Sequence, residues 1–136
     1  MNARIMKIIK TQLVNLGLVL FLSQSVLADT NLIVHHLVVV WLKADQPNAS
    51  AIYREASQSF ADLPGVIAYK IASRANIERS RPNPAVDNSF DLIVDSHFES
   101  AAALEAFLKH PDYVRIAQDQ LRPLVDHYRV YDSIQK

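Results

Sequence analysis

The sequence predicts an α+β fold with the element order β-α-β-β-α-β. Three observations predict it. Four short segments are rich in β-branched residues or alternate apolar with polar ones, the mark of strands. Stretches between them repeat apolar residues at helical spacing. The prolines, and Gly65, fall between these segments rather than inside them.

"IVHHLVVVWL", 33–42, is the first strand. The turn "KADQPN" follows, and Asn48 or Ser50 is placed to cap the next helix. Within "ASAIYREASQSFADL", Ile52, Ala56, Phe60 and Leu63 form a helical stripe with Tyr53 beside it. Pro64 and Gly65 stop that helix. "VIAYKIASR", 66–74, is the second strand. Residues 75–88, "ANIERSRPNPAVDN", have no period and read as a solvated hairpin tip, with a lid as the alternative.

"SFDLIVDSHF", 89–98, is the third strand. Phe90, Leu92, Val94, Ser96 and Phe98 share its core face; Asp91, Ile93, Asp95 and His97 share the other. Ser100 caps a second helix with Leu104, Phe107 and Leu108 on its inner stripe. Pro111 ends it, because proline lacks an N–H and disfavours helical geometry in the residue before it. His110 is expected to cap the end of this piece, where its charge favours a helix C-terminus. A further helical piece carries Val114, Ala117 and Leu121, and Pro123 closes it. "VDHYRVYD", 125–132, is the fourth strand.

This order is the ferredoxin-like plan, two βαβ units in one antiparallel sheet. Right-handed crossovers put both helices on one face. The other face then carries Leu37, Val39, Trp41 and Ile93, too apolar to leave in water. A second copy packed face to face is the expected cover, giving a homodimer that is a dimeric α/β barrel.

The first 28 residues read as a secretory signal peptide. Arg4, Lys7 and Lys10 form a basic start, "LVNLGLVLFL" an apolar centre, and Val26-Leu27-Ala28 a cleavage site. The apolar centre is about half the ~20 residues that a spanning helix needs, which disfavours the alternative of an uncleaved anchor. Cleavage after Ala28 leaves one domain, 29–136, exported to the periplasm or secreted. Removal of Arg4, Lys7 and Lys10, with no acid, leaves 11 basic against 14 acidic residues, a net charge of −3. That sign argues against nucleic acid and, after cleavage, against membrane surfaces as partners. Cysteine is absent, so no disulfide staples the domain. Gly17 and Gly65 are the two glycines, which leaves no glycine-rich phosphate loop and no dinucleotide fingerprint. No cofactor is expected.

"HHLVVVWLK", "LPGV", "FDLIVDSHFES", "LKHPDYV" and the closing Tyr131-Asp132 together resemble the stress-responsive dimeric α/β-barrel domain family. The resemblance covers nearly all of 33–132. It implies a small dimeric barrel, in most members without an assigned activity. Some plant members cyclise polyketides without metal or cofactor, using a tyrosine in the helix before "HP" and a histidine two residues after the proline. Those positions hold Phe107 and Tyr113 here, so that acid/base pair is missing and its activity does not carry over. The family histidine of the first strand is matched by His36.

His36 is the best candidate for a catalytic group. It shares a face with Val38 and Val40 and points toward the helices. With Tyr53, Phe107, Tyr113 and, in the family register, Tyr128, it would line an aromatic pocket between sheet and helices, a typical ligand site. The expected ligand is a small apolar or aromatic molecule, and the activity is unassigned. One alternative is a cofactor-independent enzyme of monooxygenase or cyclase type on the same barrel. Another is a structural or interaction protein with a filled core, which a cavity of a few hundred Å3 beside His36 would exclude. No metal site is expected: His35 and His36 point to opposite faces, His97 has no partner at a ligand spacing along the chain, and cysteine is lacking. Asp95 and His97 are neighbours on the open face and read as interface polar residues.

Overall fold

A computed structural model describes residues 32–135. The expected signal peptide, 1–28, and its cleavage site lie outside the described residues. The chain runs β1 (Val34–Leu42), α1 (Ala49–Ser57), β2 (Val66–Ser73), β3 (Leu92–Phe98), α2 (Ala101–Lys109), α3 (Pro111–Ile116) and β4 (Val125–Ile134). A 3-10 segment, Gln58–Asp62, continues α1. A π-type turn, Ala117–Leu121, and a 3-10 turn, Arg122–Leu124, continue α3. No helix among the described residues is long and apolar enough to cross a membrane.

The four strands form one sheet of order β2-β3-β1-β4 with every neighbouring pair antiparallel. This is the ferredoxin-like α+β plan expected from the sequence. Alternation sets the two faces. In β3, Leu92, Val94, Ser96 and Phe98 are buried under the helices while Ile93, Asp95 and His97 are half-buried on the open side. In β1, Val34, His36 and Val40 are buried on the same inner face, and His35, Leu37, Val39 and Trp41 lie on the open one.

The strand bounds differ from the sequence reading at one important point. β3 begins at Leu92, three residues later than expected, because Asp91 is used differently. Its Oδ2 accepts from Leu42 N at 2.8 Å and its own N–H donates to Val40 O at 3.0 Å, which ties the mouth of the hairpin to β1. Residues 75–88 are exposed apart from half-buried Val86, as a solvated tip requires.

The helices also correct two local expectations. Ile52 does not face the core; it is exposed, and α1 packs through Ala49, Tyr53 and Ser57, spaced four apart. Ser57 can be fully buried because its hydroxyl donates to Tyr53 O at 2.7 Å. The tighter 3-10 turn then swings Phe60 inward. Asn48, in the left-handed region at φ 65°, occupies the cap position without a side-chain bond to the helix. Ser100 does cap α2, accepting from Ala103 N at 3.1 Å.

His110 is extended (ψ 131°), as a residue before proline prefers. Its Nδ1 accepts from Asp112 N at 3.2 Å, so it caps the start of α3 rather than adding charge at the end of α2. Pro111 sits in the first turn of α3, where its missing N–H costs nothing. The break at Pro111 is therefore a cap shared by two short helices. Gly65 holds φ +82°, and a Cβ there would stand 2.7 Å from Ala103 Cβ. A glycine is what lets the β2 entry turn approach α2 so closely.

Candidate functional site

Between the sheet and the helices lies a cavity of about 320 Å3. His36, Tyr53, Phe107, Tyr113 and Tyr128, the residues the sequence placed in a pocket, all line it. The core on this side of the sheet leaves this space unfilled. The floor is β1 and β3, with Val38, Val40, Val94 and Ser96 beside His36. β4 forms one rim: Tyr128 pairs with Val40, Val130 with Val38, and Asp132 with His36 across the strands. Tyr128 and Val130 remain half-exposed, so the cavity opens past this edge. No residue of 75–88 lines it.

Aromatic rings in tilted and edge-on contact make the roof. Phe107 lies 4.6 Å from Tyr113 and 4.9 Å from Phe98 between ring centroids, and Phe60 lies 5.1 Å from Tyr113. Contacts at such distances hold the rings in fixed orientations. The phenols stay protonated here. Burial pushes Tyr69 up to about 12, and the neighbouring Tyr113 adds to this while the Ser57 hydroxyl opposes it. Burial raises Tyr53 further, with Tyr69 and Tyr113 contributing. Burial also raises Tyr113. At neutral pH these groups donate hydrogen bonds and do not act as bases.

His36 is different. Its Nδ1 lies 2.6 Å from Asp132 Oδ1. An ionised carboxylate can only accept, so Nδ1 carries the proton and Nε2 keeps its lone pair in the neutral ring. No protein group among the described residues bonds Nε2, yet no fully buried side-chain nitrogen or oxygen among them lacks a partner. Nε2 is therefore open to solvent, and His36 lines the cavity. The ring is otherwise buried (7% exposed) and packs edge-on against Phe98 at 6.2 Å. A histidine whose tautomer and orientation are set by a carboxylate is the arrangement used for a general base.

Sequence reasoning singled out His36 and did not pair it with Asp132. Asp132 was legible only as the end of an aromatic-Asp pair, because the β1–β4 register that sets it opposite His36 is not a local property. Tyr69 and Arg122 also line the cavity and were not singled out, and Phe60, read only as part of a helical stripe, lines it too. Arg122 stands at the rim with its Cζ 5.8 Å from the Tyr128 ring centroid.

The sequence profile of the Stress Responsive A/B Barrel Domain matches residues 34–135, three-quarters of the chain. The chain belongs to the stress responsive A/B barrel domain family. Among curated proteins nothing matches. Solved structures similar to this A/B barrel domain include a Dabb family protein with a ferredoxin-like fold from Mesorhizobium loti, at 20% identity. Its TM-score is 0.61, and the match covers 77% of this chain and 98% of that one. The hydroxynitrile lyase from Passiflora edulis is similar at 18% identity and a TM-score of 0.63, over 78% of this chain and 95% of that one. A dimeric ferredoxin-like protein of unknown function from Thermobifida fusca is similar at 12% identity and a TM-score of 0.62, over 77% and 92%. At these identities the likeness concerns the fold of the A/B barrel domain.

Proposed function

We propose that this domain binds a small, flat, apolar or aromatic molecule in the cavity, with Nε2 of His36 facing an acidic proton of that molecule. The observation that carries the reading is the His36–Asp132 pair opening onto a 320 Å3 space with an aromatic roof. Apolar walls with a few convergent polar groups are what small-molecule sites have. Tyr53 and Tyr113 supply neutral donors, which suit an oxygen that gains charge when a proton is removed nearby. The corresponding reaction class is removal of a proton from a hydroxyl or from the carbon next to a carbonyl, leaving an oxyanion or enolate, without cofactor. The acid/base pair implied by resemblance to plant cyclases is absent at Phe107 and Tyr113, so the base sits on the sheet rather than on the helical arm.

Titration with the fluorescent probe 1-anilinonaphthalene-8-sulfonate tests binding. We expect saturable binding by the wild type, lost in Val130→Trp, which fills the rim, and retained in Leu37→Ser on the opposite face. Binding that survives Val130→Trp and fails in Leu37→Ser would place the ligand on the wrong side of the sheet.

The same reading includes a homodimer formed through the open face. Leu37, Val39, Trp41 and Ile93 are left uncovered by the helices there, and the similar Thermobifida fusca protein is described as dimeric. Light scattering should give twice the chain mass, falling to a single chain in Leu37→Ser. Export through residues 1–28 is part of the proposal too, supported by their basic start and apolar centre. Amino-terminal sequencing of the protein from its native source should begin at Asp29.

A further inference from the structure

The open face carries a second histidine–carboxylate cluster that the cavity does not use. β1 and β3 pair with His35 directly opposite His97. The two rings stack with centroids 3.8 Å apart and planes tilted by 27°. Asp95, two residues before His97 and so on the same face, places Oδ1 3.2 Å from His97 Nε2. One ligand atom from each of His35, Asp95 and His97 lies within 4.8 Å of the others. All three residues are half-buried.

From this arrangement we propose that His35, Asp95 and His97 form a binding site for a divalent first-row transition metal ion, with zinc as the natural probe. Two ligands of one tetrahedral zinc, each about 2.0–2.1 Å from the metal, stand roughly 3.3 Å apart. The 3.2 Å gap between His97 Nε2 and Asp95 Oδ1 already has that value. The stacked rings need only turn until their lone pairs converge, and both hang from rigid, paired strands that hold the backbone spacing. Two imidazoles and one carboxylate favour zinc, nickel or copper over magnesium or calcium, which prefer all-oxygen shells. Gln135 Oε1 lies 3.3 Å from His35 Nε2, close enough to orient that ring.

Three protein ligands leave a fourth tetrahedral position, which water enclosed beneath the second copy of the proposed dimer would fill. Leu37 pairs with Asp95 across the strands and gives the cluster one apolar neighbour. Ligand spacing along the chain hides this cluster, because it is assembled by cross-strand register rather than by sequence proximity.

Isothermal titration of the chelator-treated protein with Zn2+ alone tests the proposal. The expected result is uptake of one ion per chain. His97→Ala and His35→Ala should each weaken it by more than the roughly 10- to 100-fold that loss of an outer partner costs. Asp95→Asn keeps the side-chain shape and should also weaken binding, so a folding defect in an alanine variant would not decide the matter. His127→Ala, elsewhere on the same face, should bind as the wild type does. Absence of saturable uptake, full affinity in both His97→Ala and Asp95→Asn, or equal loss in His127→Ala would overturn the proposal.

Discussion

His35 and His36 are adjacent in the chain, yet they belong to different surfaces. His36 points inward, where Nδ1 meets Asp132 of β4 and the ring lines the cavity. His35 points outward, where it stacks on His97 of β3 beside Asp95. The period of two in a strand separates them completely. The inner face is roofed by helices and aromatic rings, so one histidine is held in place by one carboxylate at the wall of a cavity. The outer face has no roof in a single chain, and two histidines with one carboxylate become a candidate ion site. The same residue types acquire different chemistry from what covers them.

The largest expected contrast between the faces is in stability. Phe98 is fully buried on the inner face and packs edge-on against Phe107. Phe98→Ala should cost about 3–5 kcal/mol by urea denaturation. Leu37, half-buried on the open face, should cost far less within a single chain when changed to serine, its effect appearing as loss of the dimer. Similar costs from the two substitutions would erase the distinction between a packed and an unpartnered face.

A smaller contrast concerns alkaline pH. Tyr69 is raised from 10.0 to about 12, and Tyr53 and Tyr113 are also raised by burial. An unfolded chain releases these phenolic protons near pH 10 while the folded one keeps them. Stability is then complete below pH 10 and falls as pH rises from 10 toward 12, by something of the order of 2 kcal/mol for Tyr69. Tyr69→Phe should flatten that fall. Absorbance titration that shows every tyrosine ionising near pH 10 in the folded protein would contradict the burial of these three phenols.

The smallest effect is at the cap that starts α2. Ser100→Ala removes the acceptor for Ala103 N and should cost about 1 kcal/mol in thermal or urea unfolding, leaving both faces intact. Loss of probe binding in this variant would show that the roof depends on α2 more than its packing suggests.

Much of this architecture was legible in the sequence, and the pattern of what was not is informative. Alternation in "HHLVVVWL" and "LIVDSHF" was enough to assign faces, since side-chain direction in a strand follows from position alone. Ser100, Pro111 and Gly65 marked helix ends through backbone chemistry that each residue carries with it. The helical stripe of α1 was read one position off, at Ile52 instead of Tyr53, because a buried Ser57 satisfied by its own helix looks polar in sequence. His110 was read as closing α2, which its backbone N–H does, but its ring nitrogen also opens α3. The Asp132 partner of His36 and the His35–His97 stack both come from register, which depends on bulges and on pairing between distant strands. The site was therefore readable as a set of inward residues, but its hydrogen bonds were not.

Nitrogen-15 NMR of the histidine rings, recorded with and without each probe, tests the division most directly. His36 should show a protonated Nδ1 and a bare Nε2, shift on adding 1-anilinonaphthalene-8-sulfonate, and lose its tautomer preference in Asp132→Asn. His35 and His97 should instead respond to Zn2+ and leave His36 unmoved. A His36 ring protonated on Nε2, unaffected by Asp132→Asn, or one set of histidines answering to both probes, would contradict the account.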